Sequence, residues 1–358
     1  MERFICGWSS LGLLASEPMH LGSPDATAQR LEALIDGALE ATVVLSFTDI
    51  GPMIRRRLFD WQDLSELRMD GRVVLVTGAT SGLGLATAQQ LARMGSALRL
   101  LVRDATRGAG ARDQILRGTP GADVGLYTAD MSDLASVRAA VAQILEREAR
   151  LDVLVNNAGA LLPERRSSVD GFEMTFATMV LGPFVLTNSL APLLERTASI
   201  DGRARVINIA SGGMYTQGLH LDDLQMEMEQ YRGSVAYARA KRALVVLTEL
   251  WARRWRDRGI VAHAMHPGWA DTPGIESGLP RFRRIVGARL RTADEGADTI
   301  VWLAASEAGV QTTGRFWLDR RPRSTEHLPG TKVTPSDAER LWQDCARLTG
   351  EAEDPPGH

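Results

Sequence analysis

Thr77-Gly78-Ala79-Thr80-Ser81-Gly82-Leu83-Gly84 follows the apolar run Arg72-Val73-Val74-Leu75-Val76 and opens the helical pattern Leu85-Ala86-Thr87-Ala88-Gln89-Gln90-Leu91-Ala92. A strand, a glycine-rich turn and a helix in that order form a phosphate site. Glycines let the backbone approach a pyrophosphate, and the N–H groups at the helix start point at its charge. Glycine by itself only marks a turn, so the strand-turn-helix context carries the inference. Three residues separate the first two glycines, a wider spacing than the usual G-x-G-x-x-G.

Working outward, strand and helix patterns alternate from Gly71 onward. The strand candidates are Val73–Val76, Leu98–Val102, Val124–Tyr127, Val153–Asn156, Val206–Ile209, Val261–Met265 and Arg315–Leu318. Apolar strands separated by helices predict an α/β fold, a doubly wound seven-stranded parallel sheet with helices on both faces. Residues 1 to 70 form an N-terminal extension. Ala28, Arg30, Leu31, Leu34, Ile35, Ala38 and Leu39 lie there at helical spacing, and the basic, apolar stretch Ile54 to Trp61 follows. That stretch reads either as an arm packed on the domain with solvated arginines, the favoured reading, or as a peripheral membrane contact. Pro335 to Leu348 predicts an amphipathic C-terminal helix starting near Ser336 or Asp337, followed by a polar tail.

Composition excludes several functions. The 358 residues carry a net charge of −3, and no aromatic platform interleaves with the short basic clusters, so nucleic acid is not an expected partner. Two cysteines at opposite ends, Cys6 and Cys345, provide neither a disulfide framework nor a zinc site, and no metal is expected. They suit a reducing, cytoplasmic setting. Met1 to Ala15 makes a poor signal peptide, and Asp49, Gly51 and Pro52 interrupt the other apolar stretch well short of the ~20 residues of a spanning helix. These features predict a soluble protein, and they are compatible with a homo-oligomer.

Further along are Asn156-Asn157-Ala158-Gly159 after the fourth strand, Ser211 after the fifth, Tyr237-Ala238-Arg239-Ala240-Lys241, and His266-Pro267-Gly268-Trp269-Ala270-Asp271-Thr272 after the sixth. Residues four apart share one helix face, so the Tyr237 phenol and the Lys241 ammonium point into one cleft. A neighbouring cation favours the phenolate and is expected to lower a tyrosine pKa that is ordinarily ~10. In this order, T-G-x-x-x-G-x-G, N-N-A-G, Ser, Y-x-x-x-K and P-G resemble the short-chain dehydrogenase/reductase family, over roughly residues 70 to 330. The 26 residues between Ser211 and Tyr237 resemble its branch that includes retinol dehydrogenases.

The resemblance implies a Rossmann fold and an NAD(P)-dependent oxidoreductase acting on a small-molecule carbonyl or alcohol. It implies Ser211, Tyr237 and Lys241 as catalytic residues. It places the cofactor against Gly78, Ser81, Gly82, Leu83, Gly84, Asp130, Met131, Asn157, Ala158, Gly159, Tyr237, Lys241, Pro267, Gly268 and Thr272. Arg103 ends the second strand where the adenosine ribose should lie. Arginine pairs with a 2′-phosphate, whereas an acid would serve a free 2′-hydroxyl, so NADP is favoured over NAD; neighbouring Asp104 keeps NAD open. The segment Leu219 to Leu224 is expected to border the substrate cleft. Phe282, Ile285, Val286 and Leu290 lie near helical spacing between about 273 and 292, predicting a lid with an apolar wall and hence a lipophilic substrate. One position departs from the family: Met179 stands where this branch usually carries an asparagine that anchors a water in the proton relay. Asn188 is half a helical turn out of place to substitute. A thioether is at best a weak acceptor, which motivates a competing reading, a cofactor-binding sensor or scaffold of low activity.

Overall fold

The computed structural model describes residues 24–272, 284 and 286–352. Helices α1 (Pro24–Ala41), α2 (Val43–Phe47) and α3 (Ile50–Leu58) precede the sheet. Then β1 (Val73–Thr77), α4 (Gly82–Arg93), β2 (Ala97–Val102), α5 (Ala105–Gly118), β3 (Val124–Thr128), α6 (Leu134–Arg147) and β4 (Val153–Asn156) alternate. The short α7 (Met174–Phe176) runs through a π-helical turn at Ala177–Leu181 into α8 (Gly182–Asp201). The chain continues with β5 (Ala204–Ile209), α9 (Gly233–Arg254), β6 (Ile260–Met265), α10 (Ala293–Ala305), α11 (Ala308–Gln311), β7 (Phe316–Leu318), β8 (Arg321–Arg323) and α12 (Pro335–Thr349).

The strand order is β3-β2-β1-β4-β5-β6-β7-β8. All seven expected strands are present and parallel, and β8 adds an antiparallel edge. Strands β1, β4 and β6 are buried along their whole length, as a sheet covered on both faces requires. One apolar core lies on the face covered by α6, α8, α9 and α12, and a second on the face covered by α4 and α10. The order reverses between β1 and β4, so their carboxyl ends open a crevice where ligands bind in such sheets.

The stretch Met174–Asp201 is long and apolar enough to cross a membrane, but 78% of its apolar window is buried inside the protein, as in a core helix. The C-terminal helix forms as expected. Its cap, however, is Thr334, which accepts from Asp337 N while the Asp337 carboxylate accepts in return from Thr334 N. The anticipated solvation of the arginines in residues 54–61 is corrected at Arg55, whose side chain is 0% exposed and ion-paired.

Candidate active site

The glycine-rich turn is held from below by the N-N-A-G segment. Thr77 Oγ1 accepts from the backbone N–H of Asn157 and of Ala158, both at 2.9 Å, and Asn157 Nδ2 donates to Thr77 O at 2.8 Å. Gly78 has φ +67°, and a Cβ there would meet Ala158 Cα at 2.9 Å; at Gly84 a Cβ would lie 2.5 Å from Asn157 Nδ2. Glycine is therefore required at both positions by contact with the neighbouring loop. One strand over, Asn156 Nδ2 donates to Asn208 Oδ1 at 2.8 Å, and Asn208 Nδ2 donates to Thr248 Oγ1 at 2.8 Å, tying β4 to β5 and α9.

The start of α4 suits a phosphate. Asp104 caps α5, Asp133 caps α6 and Thr292 caps α10 with side-chain hydrogen bonds, whereas Ser81 makes none at α4. A helix start without a side-chain cap is the arrangement in which backbone N–H groups can meet an anion. Gly82 at φ +52° turns the chain into the helix, and Leu83 packs toward Gly296, where a Cβ would lie 2.6 Å from Leu83 Cδ2 and 2.9 Å from Ala270 Cβ. The glycine turn and the loop after β6 are thus neighbours. Beyond β2, Arg103 and Arg107 are exposed, and the Asp104 carboxylate accepts from Arg107 N at 3.0 Å. The acid beside the arginine is thereby engaged in capping. Asp130 is engaged as well: its Oδ1 accepts from Ser132 N and Ser132 Oγ, which shapes the turn presenting buried Met131.

Tyr237 and Lys241 lie one turn apart on α9, with Nζ 5.6 Å from the Tyr237 ring centre. Lys241 is 3% exposed and donates to Ile209 O at 2.6 Å. Burial pushes its pKa down to about 7. Tyr237 is half-buried, and burial pushes its phenol up, opposed by a hydrogen bond with Ser211. Burial of the phenol acts against the lowering expected from Lys241. Ser211 follows β5 at the start of the turn Gly212–Thr216, and its Oγ accepts from Gly213 N at 3.2 Å.

Met179 lies in the π turn and is fully buried. A Cβ on Gly159 would lie 3.0 Å from Met179 Sδ and 3.6 Å from Lys241 Nζ, so the thioether and the ammonium flank one backbone position. Asn188 Oδ1 accepts from Trp251 Nε1 at 2.8 Å, which removes it from any relay. The sequence reading missed the π turn, a feature frequent at functional sites; nothing in an apolar run signals one extra residue per turn.

The segment Leu219–Leu224 lines a pocket with Glu173, Ala236, Arg239 and Ala243. Leu219, Leu221, Leu224 and Tyr237 pack against the same core cluster. Pro267 and Gly268 follow β6, with Gly268 at φ +72°, and Thr272 is half-buried at the end of that loop. Of the anticipated lid, residues 273–283 and Ile285 lie outside the described residues; Val286 and Leu290 are half-buried beside exposed Arg289.

The family model for short chain dehydrogenases matches residues 72–278. The chain belongs to the short-chain dehydrogenase/reductase family. It is 42% identical over 275 residues to dehydrogenase/reductase SDR family member 12 of Bos taurus, covering 76% of this chain and 84% of that protein. It is 31% identical to human retinol dehydrogenase 13, over 80% of this chain and 87% of the relative. Among solved structures, an uncharacterised protein of Mycobacterium paratuberculosis aligns with TM-score 0.64 at 28% identity, covering 81% of this chain and 97% of that one. The Pseudomonas aeruginosa RhlG/NADP active-site complex aligns with TM-score 0.58 at 28% identity, over 70% and 94%. Family membership makes this chain an NAD(P)-dependent oxidoreductase.

Proposed function

We propose that the protein is an NADP-dependent reductase of ketones or aldehydes, or the reverse alcohol dehydrogenase, with Tyr237 as acid/base. The observation that carries this reading is the convergence of Ser211, Tyr237 and Lys241 at the carboxyl ends of β5 and along α9, beside the uncapped start of α4. A bound nicotinamide supplies or accepts the hydride. In the reducing direction the Tyr237 hydroxyl gives its proton to the carbonyl oxygen, and Ser211 Oγ donates a hydrogen bond to the same oxygen. With its pKa pushed up by burial, the phenol holds its proton at neutral pH, and that is the proton given in the reducing direction. Lys241 Nζ, 3.6 Å from where a Cβ on Gly159 would lie, would donate to the nicotinamide ribose. The α4 N–H groups would hold the pyrophosphate, and exposed Arg103 and Arg107 would pair with the 2′-phosphate. Engagement of Asp104 as a cap favours NADP over NAD, and the solved RhlG/NADP complex, similar over 70% of this chain, supports the same cofactor.

We favour a lipophilic carbonyl because a retinol dehydrogenase is among the relatives. The test is NADPH oxidation across retinoids, steroids, aliphatic aldehydes and quinones, set beside NADPH affinity. Turnover of at least one lipophilic carbonyl is expected. Tight NADPH binding with no turnover on any of them contradicts the enzyme and supports the second reading, a sensor or scaffold, which the buried Met179 thioether beside Lys241 motivates. If Met179 interrupts the proton path, Met179→Asn should raise kcat, toward the ~10²-fold usual for acid-base assistance, at unchanged NADPH affinity. No gain means that other groups already feed the proton.

A further inference from the structure

The three helices before the sheet are absorbed by none of the chemistry above, yet their most buried aromatic residue reaches the reaction centre. Phe47, the last residue of α2, is 4% exposed. A Cβ on Gly212, the residue after Ser211, would lie 2.4 Å from Phe47 Cε2, so the ring rests directly on the backbone of the serine loop. The same ring meets His266 edge-on with centres 4.4 Å apart and Trp269 at 5.7 Å. Its carbonyl accepts from Trp269 N at 2.7 Å. Phe47 therefore touches the serine loop on one side and brackets Pro267-Gly268 on the other.

A buried ion network holds it there. The Arg291 guanidinium donates to the carbonyls of Ser46 at 2.7 Å and of Phe47 and Thr48 at 3.1 Å, and binds Asp319 Oδ1 at 2.6 Å. Arg55 donates to Asp319 Oδ2 at 2.6 Å, Asp36 Oδ1 at 2.7 Å and Glu40 Oε2 at 3.0 Å. Arg323 closes the ring on Asp36 at 2.7 Å. Burial would raise the Asp319 carboxyl, but Arg291 and Arg55 outweigh it and hold it below the ordinary value. Three carboxylates face Arg55, Arg291 and Arg323, with the Arg321 guanidinium 3.2 Å from Asp36 as well, the pairing that buried charges need. Its members come from α1, α3, the loop before α10, the β7–β8 turn and β8, so the network fixes the end of α2 against the sheet.

We propose that Phe47 is a positioning residue: the N-terminal helices wedge its ring between the Ser211 loop and the Pro267-Gly268 turn, setting the distance between the group that holds the substrate oxygen and the strap beside the nicotinamide. The proposal rests on the roles assigned to Ser211 and Pro267-Gly268 above. A reacting geometry misplaced by about 1 Å costs on the order of 10²-fold, and the ring touches both loops. Removing it frees each loop without touching Tyr237, Lys241 or the glycine turn.

The test compares wild type, Phe47→Ala and Ile144→Ala, the last a residue buried in the core on the α6 side and outside the Phe47 cluster. Hydrogen exchange of the full chain, read by mass spectrometry, should rise at residues 211–216 and 266–270 in Phe47→Ala and stay at wild-type level at 77–84. For the carbonyl turned over best, kcat should fall about 10-fold or more with the NADPH dissociation constant within about 2-fold. Ile144→Ala should lower Tm without either change. If Phe47→Ala does not fold, Phe47→Val is measured instead, with the same local pattern expected at smaller size. Unchanged exchange at both loops, exchange that rises evenly along the chain, or wild-type kcat overturns the wedge. A wild type that turns over no carbonyl contradicts the proposed activity, whatever exchange shows, so the two failures are distinguishable.

Discussion

Lys241 holds its amino group inside the protein against the Ile209 carbonyl, and burial brings its pKa down to about 7 from an ordinary 10.5. Between those values the unfolded chain carries a proton that the folded one has lost. This group therefore makes stability rise with pH across that window, by at most ~1.4 kcal/mol per pH unit. Lys241→Met should flatten that slope in urea unfolding of the free protein between pH 7 and 9; an unchanged slope would show that the lysine stays charged when folded. At the other end of the cleft, Arg103→Asp exchanges attraction for repulsion at the 2′-phosphate. The ratio of NADH to NADPH dissociation constants should fall by about 10-fold or more. A ratio that does not move assigns the phosphate to Arg107. Lys241 was readable from its place in an ordered motif, and Arg103 from its place at the end of a strand. The fate of Asp104 was not, since a carboxylate before a helix serves equally as a cap or as a ribose acceptor.

The elements were legible where a period or a cap wrote them, and hidden where tertiary contacts overrode the pattern. The seven parallel strands are apolar runs bounded by turns, and all were readable. The eighth was not: Arg321-Pro322-Arg323 has no apolar residue, and its turn, Asp319-Arg320, holds φ +52° and +56° without glycine. Such a two-residue turn ordinarily takes Asn or Gly. Here ion pairs hold it, Asp319 with Arg55 and Arg291, and Arg320 with Asp298 at 2.7 Å. The apolar spacing of α1 is buried only in part: Leu39 is 6% exposed and Ile35 half-buried, but Leu31 and Leu34 are 58% and 70% exposed, while Asp36 is buried against Arg55 and Arg323. Helix α12, by contrast, buries the stripe it displays. Trp342 is 0% exposed against Phe184 and Trp251, with the Arg254 guanidinium 4.2 Å over its ring. Trp342→Ala should cost about 3–5 kcal/mol, read as a lower urea midpoint. A loss below ~1 kcal/mol would mean that α12 is not docked as described.

At the scale of the whole molecule, the sheet sets where chemistry can occur and the N-terminal helices complete its walls. The crevice at the reversal of strand order lies above β1 and β4. Into it open the uncapped start of α4, the Asn157–Gly159 turn, Ser211 from β5 and Tyr237 and Lys241 from α9. The architecture and this convergence could be read in advance because each motif follows a strand end in the required order. The contact of Phe47 with Gly212 could not, because it joins residues more than 160 positions apart through an ion network that no local pattern reports. The central claim is that this convergence reduces a carbonyl through the Tyr237 proton. Its most direct test is Tyr237→Phe, with carbonyl-dependent NADPH oxidation and NADPH affinity measured on the same purified protein. Turnover should fall at least ~10²-fold while the dissociation constant stays within about 3-fold; turnover retained near the wild-type rate would contradict the account.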